Sequence, residues 1–397
     1  MSEASTAGKK RFRRIRHRGR VSQILIYLGK QLRFFINESD WKVLPMAAVI
    51  AALVGMVIRN KFFINMEGGL IGAFALTCVA IWNGCFNSIQ SVCRERPIIK
   101  REHRSGMHIS SYVAAHMIYQ FLLCTAQTAL TMYVLKLMNV RFPKEGFMTS
   151  WMIVDIGISM LLISYASDMM SLFLSSIAHT TTAAMTIMPF MLIFQLVFSG
   201  GIIPLPSWTQ SLSDFTISNY GVKVIAAQSG YNELPMETAW KTLNGMRNEE
   251  IVETFTLGQL LDLLDSPVVE KRRDTVILSV STLQTFLNLD ASVTGQLPEA
   301  SVTLGEIVDL LRSSPELQAE RDRTFTVKGT VGELFELFGE ENVKNAVQQK
   351  TAAASRKPAY ERSLVNILSY WFMLILFVLA FALLAALVLE RIDHDKR

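Results

Sequence analysis

A chain of 397 residues, half of them hydrophobic and 18% charged, with a mean hydropathy of +0.30, is too apolar for an ordinary soluble domain. Its formal net charge of +5 is unevenly distributed, with two dense basic runs, KKRFRRIRHRGR at 9–20 and RERPIIKREHR at 94–104. No fold presents these runs to a nucleic acid, so the partner they imply is a lipid bilayer. The four cysteines (Cys78, Cys85, Cys93, Cys124) lie in or beside apolar blocks without metal-site spacing, and the six histidines are scattered. No metal is expected.

Residues 1–21 form a basic tail that reads as a topology anchor. It is no cleavable signal, because the first apolar block lies too far along and lacks a small-residue cleavage site. Residues 22–42 follow as a connecting segment. Within it, Ser22–Glu38 puts Ile24, Leu25, Leu28, Leu32, Phe35 and Ile36 on one helical face, with Lys30, Gln31 and Arg33 elsewhere. Such a helix lies along the inner membrane surface.

Six apolar blocks follow: Val43–Ile58, Gly69–Val92, Ile109–Met138, Trp151–Ile177, Thr182–Ile203 and Leu364–Leu389. A span takes about 20 mostly apolar residues. The expected fold is therefore an all-α polytopic membrane protein with six transmembrane helices. Spans one to five occupy 43–203, with a cytoplasmic hairpin at 93–108. The positive-inside rule places both basic runs in the cytoplasm. Counting spans from there puts both termini inside, the tail that follows the sixth span and ends at Arg397 included, and residues 204–363 outside.

That external insertion has the size of one small domain and is expected to be α-rich. It carries a short repeat: Thr256-Leu-Gly-Gln259, Thr303-Leu-Gly-Glu306 and Thr330-Val-Gly-Glu333, each leading into an apolar run. Thr followed three residues later by Gln or Glu is a capping box, so three short amphipathic helices are expected. Val327–Thr330 and Thr275–Val280 have strand-forming composition. The insertion reads equally as a docking module or as a structural cap.

Enzyme motifs are missing. The sequence holds no G-x-x-x-x-G-K-[ST] phosphate loop, no H-E-x-x-H and no nucleophile elbow, so no catalytic residue and no cofactor of its own is expected. What remains are polar residues inside spans. Asn83, Asn87 and Gln90 form one stripe on the second span, which must face protein or a wet cavity, with helix packing favoured for the latter two. Lys136 and Asp155 lie at similar depth near the outer ends of spans three and four, where an ion pair would fit. Asp168 is deeper, where an isolated charge costs about 2.5–3.5 kcal/mol, so it faces inward, pairs or is protonated. Pro189 should kink the fifth span, freeing backbone groups for a neighbour such as Thr186.

The order of these motifs resembles the membrane half of the G-subfamily of ATP-binding-cassette (ABC) exporters, the type-2 fold, over roughly residues 22–230 and the last span. Three stretches carry the resemblance: Asn83-Gly-Cys-Phe86; Glu95-x6-Glu102-x2-Ser105-Gly106 with Ser110-Ser-Tyr112; and Leu196-Val-Phe-Ser-Gly200 with Trp208 and Ile217-Ser-Asn-Tyr-Gly221. The resemblance implies a permease subunit that dimerises with a second permease chain, identical or not. It implies a partner ATPase holding ATP and Mg, and transport by alternating access. Carried over by position, Asn83, Phe86, Asn87 and Met188 line a substrate cavity. Glu95, Arg101, Glu102 and Arg104 receive the ATPase stroke. The outer gate falls on Gly201, Ile202 and Ile203, where Gly201 departs from the family's bulky pair and leaves Ile202 to close the path.

The external insertion is longer than the family's and lacks its cysteines. Only residues 1–21 precede the connecting segment, so the ATPase is expected in a separate chain, and a bacterial plasma membrane is the expected location. The substrate is expected to be amphipathic or hydrophobic. Two other readings follow from the residues: a membrane sensor whose external domain binds a ligand, and a proton-coupled carrier using Asp168.

Overall fold

The computed structural model describes residues 19–37, 40–200, 209–256, 324–332 and 339–391, together with the isolated positions 259, 273, 303, 305, 306, 309 and 335. In chain order its principal elements are α1 (Arg20–Asn37), α2 (Val43–Ile58), α3 (Met66–Ser88), α4 (Ser91–Arg104), α5 (Ile109–Leu137), α6 (Met152–Ile177), α7 (Thr181–Val197), α8 (Ile217–Gln228), α9 (Thr238–Gly245), β1 (Glu250–Thr256), β2 (Thr324–Thr330), α10 (Glu340–Ser355) and α11 (Leu364–Glu390). They fall into two compact units, Met1–Leu234 with Arg356–Arg397, and Pro235–Ser355.

The elements of the first unit are all helices, joined by turns and loops, among its described residues. Four of its helical runs are long and apolar enough to cross a bilayer: α3 continuing into α4, α5, α6 and α11. The apolar helices α2 and α7 are shorter, at 16 and 17 residues. Boundaries shift for local reasons. Asn65 Oδ1 accepts from Gly68 N at 2.7 Å, and this cap starts α3 at Met66 rather than Gly69. A turn at Ile89–Gln90 ends α3, so Val92 belongs to α4. Pro189 sits inside α7, but Thr186 does not serve the carbonyl it frees. The Thr186 hydroxyl donates to Thr182 O at 2.9 Å, the usual back-bond four residues earlier, whereas the proline releases the carbonyl of Met185.

At the centre, α3 and α6 meet through small residues. A Cβ on Gly84 would stand 2.1 Å from the Ser164 carbonyl oxygen, so only glycine allows this approach. Beside it, Ser167 Oγ donates to Ile81 O at 2.9 Å and lies 3.1 Å from Cys85 Sγ. Without a hydrophobic driving force in lipid, close backbone contact and such hydroxyl bonds hold helices together. α8 and α11 are joined to α6 through one chain of bonds. Trp371 Nε1 donates to Ser159 Oγ (2.8 Å), Ser159 Oγ to Gln228 Oε1 (2.9 Å), and Gln228 Nε2 to Asp155 O (3.2 Å).

Where the chain leaves and re-enters this unit, Asn232 clamps the two segments. Its Nδ2 donates to Lys357 O (2.9 Å) and its Oδ1 accepts from Lys357 N (3.1 Å). Tyr231 and Tyr360 pack edge to face beside them, ring centroids 5.0 Å apart.

The second unit adds a two-stranded antiparallel sheet to its helices, β1 on β2, with Glu250 opposite Thr330 and Thr256 opposite Thr324. The strand composition of 327–330 is realised in β2, while Thr275–Val280 lies outside the described residues. Trp240, Val331 and Phe335 form a buried cluster flanked by Leu243 and Val343. Two of the expected capping boxes are reciprocal. Thr256 N donates to Gln259 Oε1 (3.1 Å) while Gln259 N donates to Thr256 Oγ1 (3.3 Å). Thr303 N and Glu306 Oε2 (2.8 Å) repeat the pattern, with Glu306 N to Thr303 Oγ1 at 3.3 Å. Glu333 of the third box lies outside the described residues.

Candidate functional site

The amphipathic α1 turns its polar side inward. Gln23 and Gln31 are buried, while Val21, Leu25, Leu32 and Ile36 are exposed. A helix lying on a bilayer turns its apolar face to lipid, which leaves its polar face available to protein. That polar face grips the turn after α4. Gln23 Nε2 donates to Gly106 O (3.3 Å), and Gln23 Oε1 accepts from His108 N (2.9 Å). Gln31 and His116 Nε2 of α5 share a hydrogen bond of 3.0 Å.

Lys30 is the centre of this corner. Its ammonium lies 3.0 Å from Glu95 Oε2 and 3.8 Å from Glu102 Oε2. The two glutamates are seven residues apart, two turns of α4, so both fall on the face that α1 covers. The Lys30 ammonium also lies 5.8 Å from the Tyr27 ring centroid and 5.5 Å from that of Phe34. Burial, then the negative charge of Glu102 and Glu95, holds the Tyr27 phenol protonated well above its ordinary range. Of the four expected coupling residues, Glu95 is therefore buried against α1, Glu102 is half-buried on the same cation, and Arg101 and Arg104 are exposed.

α4 is bonded on its other side to the end of α6. Arg96 Nη1 donates to Ser176 O (2.9 Å) and Ala178 O (3.1 Å), a basic side chain on the orphan carbonyls of a helix C-terminus. The amides of Val92 and Cys93 donate to Ser175 Oγ at 3.1 and 3.2 Å. Polar contacts thus tie α4 to α1 on one side and to the end of α6 on the other.

Beside this corner lies a pocket of about 180 Å³ whose walls come from α1, α2, α3, α4, α5 and α7. Phe86 and Asn87 line it, and so does Met185, one turn before Met188. Asn83 and Met188 are buried and lie outside its lining. Asn87 is committed to helix packing as well: its Nδ2 donates to Gln127 Oε1 (2.8 Å) and its Oδ1 accepts from Gln127 Nε2 (3.0 Å). Cys124 Sγ lies 3.7 Å from the same amide nitrogen and 3.5 Å from Asp168 Oδ2. Asp168 is fully buried and faces inward.

Asp155 has a different partner from the one expected. Its carboxylate accepts from the amides of Phe147 (2.7 Å), Met148 (2.9 Å) and Thr149 (2.9 Å), folding the preceding loop back onto the start of α6. Three converging N–H groups satisfy a carboxylate at close range, whereas Lys136 stays exposed near the end of α5. The expected gate, Gly201, Ile202 and Ile203, lies outside the described residues. Its flanks are joined: Ser218 N donates to Gln195 Oε1 (3.1 Å) and Thr216 Oγ1 to Phe198 O (3.2 Å).

Sequence reasoning missed Lys30 as a site residue, and also Arg96, Gln120 and Gln127. A signal existed for the last two. His116, Gln120, Cys124, Gln127 and Thr131 recur every three or four residues along α5, a polar stripe like that of α3, and all are buried.

Helices long and apolar enough to cross a membrane, an amphipathic helix bonded to a hairpin of charged residues, and a pocket at their junction describe a polytopic membrane protein. The sequence model of the family described as ABC-2 type transporter matches residues 24–227, more than half of the chain. The chain belongs to the ABC-2 type transporter family. It is also similar to the ABC transporter ATP-binding/permease protein Rv1747 of Mycobacterium tuberculosis, 29% identical over 126 residues. That match covers 32% of this chain and 14% of the relative's length, so the chain corresponds to a small part of that protein.

Proposed function

We propose that this chain is the permease subunit of an ATP-driven exporter that moves an amphipathic substrate by alternating access. The sequence holds no phosphate loop, and the matched relative's name joins an ATP-binding to a permease function. In this reading the ATPase, with its ATP and Mg, is a partner chain, and a second permease chain completes the path. The six apolar helices are spans in the plasma membrane. The α1/α4 corner and both termini face the cytoplasm, and residues 204–363 lie outside. Asn83, Phe86, Asn87 and Met188 belong to the substrate path, and Gly201, Ile202 and Ile203 to its outer gate.

The observation that carries the reading is the clasp of Glu95 and Glu102 on Lys30. α4 offers Arg101 and Arg104 outward to a partner while its inner carboxylates hold the helix that borders the pocket. A push on α4 therefore moves the pocket wall.

The experiment is purification of tagged chain in mild detergent, with the accompanying chains identified by mass spectrometry. A stoichiometric partner that contains a phosphate loop and hydrolyses ATP is expected. With that complex, Glu102→Lys should abolish stimulated hydrolysis while leaving the protein in the membrane. A chain that purifies alone under conditions preserving complexes would overturn the reading.

A further inference from the structure

Asp155 and Asp168 are both wholly buried on α6, and their surroundings are opposite. Asp155 accepts three backbone amides, a donor set that suits an ionised carboxylate. Asp168 lies more than three turns further along the same helix. Its Oδ2 accepts from the Cys124 thiol, a weak donor, at 3.5 Å, and its Oδ1 is buried with no hydrogen-bond partner. The Ser88 hydroxyl, which takes the Gln120 amide at 2.8 Å, lies beside it.

The other titratable groups beside Asp168 are Cys85 of α3, Cys124 of α5 and Tyr165 of α6 itself, none of them a cation. His116 of α5, two turns before Cys124, bonds Gln31 of α1. α7 carries no titratable residue. On α8, Lys223 lies over the Tyr220 ring and near Asp214, and Tyr370 of α11 packs on that ring. α4 meets the far end of α6, where Arg96 holds carbonyls and Glu95 holds Lys30. An ionised carboxylate is acceptor-only and needs several donors, whereas the neutral acid needs fewer and supplies one. Without a cation or converging amides, this apolar setting accommodates the neutral form. Ser88 Oγ keeps a second lone pair for the carboxyl hydrogen.

Two side-chain links join this acid to the pocket wall. Gln120 and Asn87 both line the pocket; Gln120 holds Ser88, and Asn87 Nδ2 lies 3.7 Å from Cys124 Sγ. On the opposite side, the close approach of α3 to α6 at Gly84 leaves no room for water. The route to Asp168 therefore runs between α3 and α5, which these amides close.

We propose that Asp168 is a proton-binding site, loaded in the conformation described here and emptied when α3 and α5 part on the pocket side. On release the Oδ1–H bond breaks, the proton passes to a water molecule from the pocket, and the electron pair stays on the carboxylate. Reprotonation expels the water and lets the two helices close again. The proton enters and leaves on one side, so a pH gradient does not drive the cycle as it would in a proton-coupled carrier. The site stands on the surroundings of Asp168 alone; that its emptying is a step of transport rests on the permease reading.

Infrared spectra of the full chain in phosphatidylcholine vesicles test the proposal. At neutral pH a neutral carboxyl gives a C=O stretch separate from the bands of ionised carboxylates. That band is expected in the unmodified protein and in Asp155→Asn, and should be lost in Asp168→Asn. Asp168→Glu should shift it without removing the acid, which assigns the band even where the amide variant does not fold. In deuterium oxide the band should move as the acid exchanges, and faster in Gln120→Ala, which opens the route between α3 and α5.

No such band, a band untouched in both Asp168 variants, or an exchange rate unchanged in Gln120→Ala overturns the proposal. No ATP and no partner enter this measurement. A chain that shows the band but purifies without an ATPase sinks the permease reading alone, and a chain with its ATPase but no band sinks only the proton site.

Discussion

The α3/α6 seam and the α1/α4 corner lie in the same helical unit but are built on opposite principles. At the seam, Gly84 lets α3 approach the Ser164 carbonyl so closely that no Cβ fits, and serine hydroxyls close the contact. At the corner, Lys30, Glu95, Glu102, Gln23 and Gln31 hold helices together through long side chains and ionic or amide bonds. Close-packed backbone has one arrangement and no slack. Flexible polar side chains have several and exchange partners at modest cost. In the proposed transport cycle the seam would serve as a fixed keel and the corner as a movable joint.

The largest effect should come from breaking the seam. Gly84→Leu places several atoms where the Ser164 carbonyl already stands. Overpacking ordinarily costs about 1–3 kcal/mol, and here, where backbone rather than a flexible side chain must give way, the cost should exceed that range and every change below. Loss of a cooperative thermal transition in detergent is expected. A melting temperature within a degree of the unmodified protein would show that the seam is looser than its geometry.

Next, Glu95→Gln leaves Lys30 facing only the more distant Glu102, at 3.8 Å, in a largely buried site. Removing one partner of a buried pair costs about 3–5 kcal/mol, and the 21% exposure of Lys30 places this case at the low end. The double replacement Lys30→Met with Glu95→Met should recover much of the stability yet keep stimulated ATP hydrolysis low. Full stimulation in the double variant would reduce the clasp to a structural tie.

Asp155→Asn weakens three backbone bonds made by one carboxylate, where hydrogen bonds to charged groups contribute about 1.5–3 kcal/mol. Faster amide exchange confined to residues 147–149 is expected, with stimulated hydrolysis unchanged. A smaller change, about 0.6–1.7 kcal/mol, should follow Asn87→Leu, which strands Gln127. Adding Gln127→Leu should return stability toward the starting value, because an apolar pair leaves nothing unsatisfied.

The smallest effect is a pH dependence at the corner. Because the folded state holds Tyr27 protonated above its ordinary range, its contribution to stability is fully present below the unfolded value of 10.0 and is lost as pH rises beyond it. Tyr27→Phe should flatten the alkaline limb of a stability-against-pH curve.

Much of this organisation was legible in the sequence because it depends on local composition. Apolar run length marked the helices that cross or approach spanning length, and the amphipathic period marked α1 within two residues at its start. The Thr-x-Gly-[Gln/Glu] pattern marked two capping boxes that close reciprocally. Of the stripe on α3, Asn87 bonds Gln127 of α5 and also lines the pocket, while Gln90 falls in the turn after α3 and lines the pocket as well. What failed were pairings. Lys136 and Asp155 matched in depth, yet three backbone amides from a folded loop reached the carboxylate first. Thr186 was near Pro189 in sequence but bonded its own back turn.

Hydrophobicity and spacing act within a single helix, so the sequence alone determined that this is a helical membrane protein, where its helices run and which motifs ally it to its family. Partnership acts between helices, and only the tertiary structure decided it. That α1 would turn its glutamines inward, that Lys30 would hold two carboxylates two turns apart, and that Gln120 would donate to Ser88 depend on how α1, α3, α4 and α5 meet. A polar side chain in an apolar setting must find a partner, but its own position along the chain does not say which one.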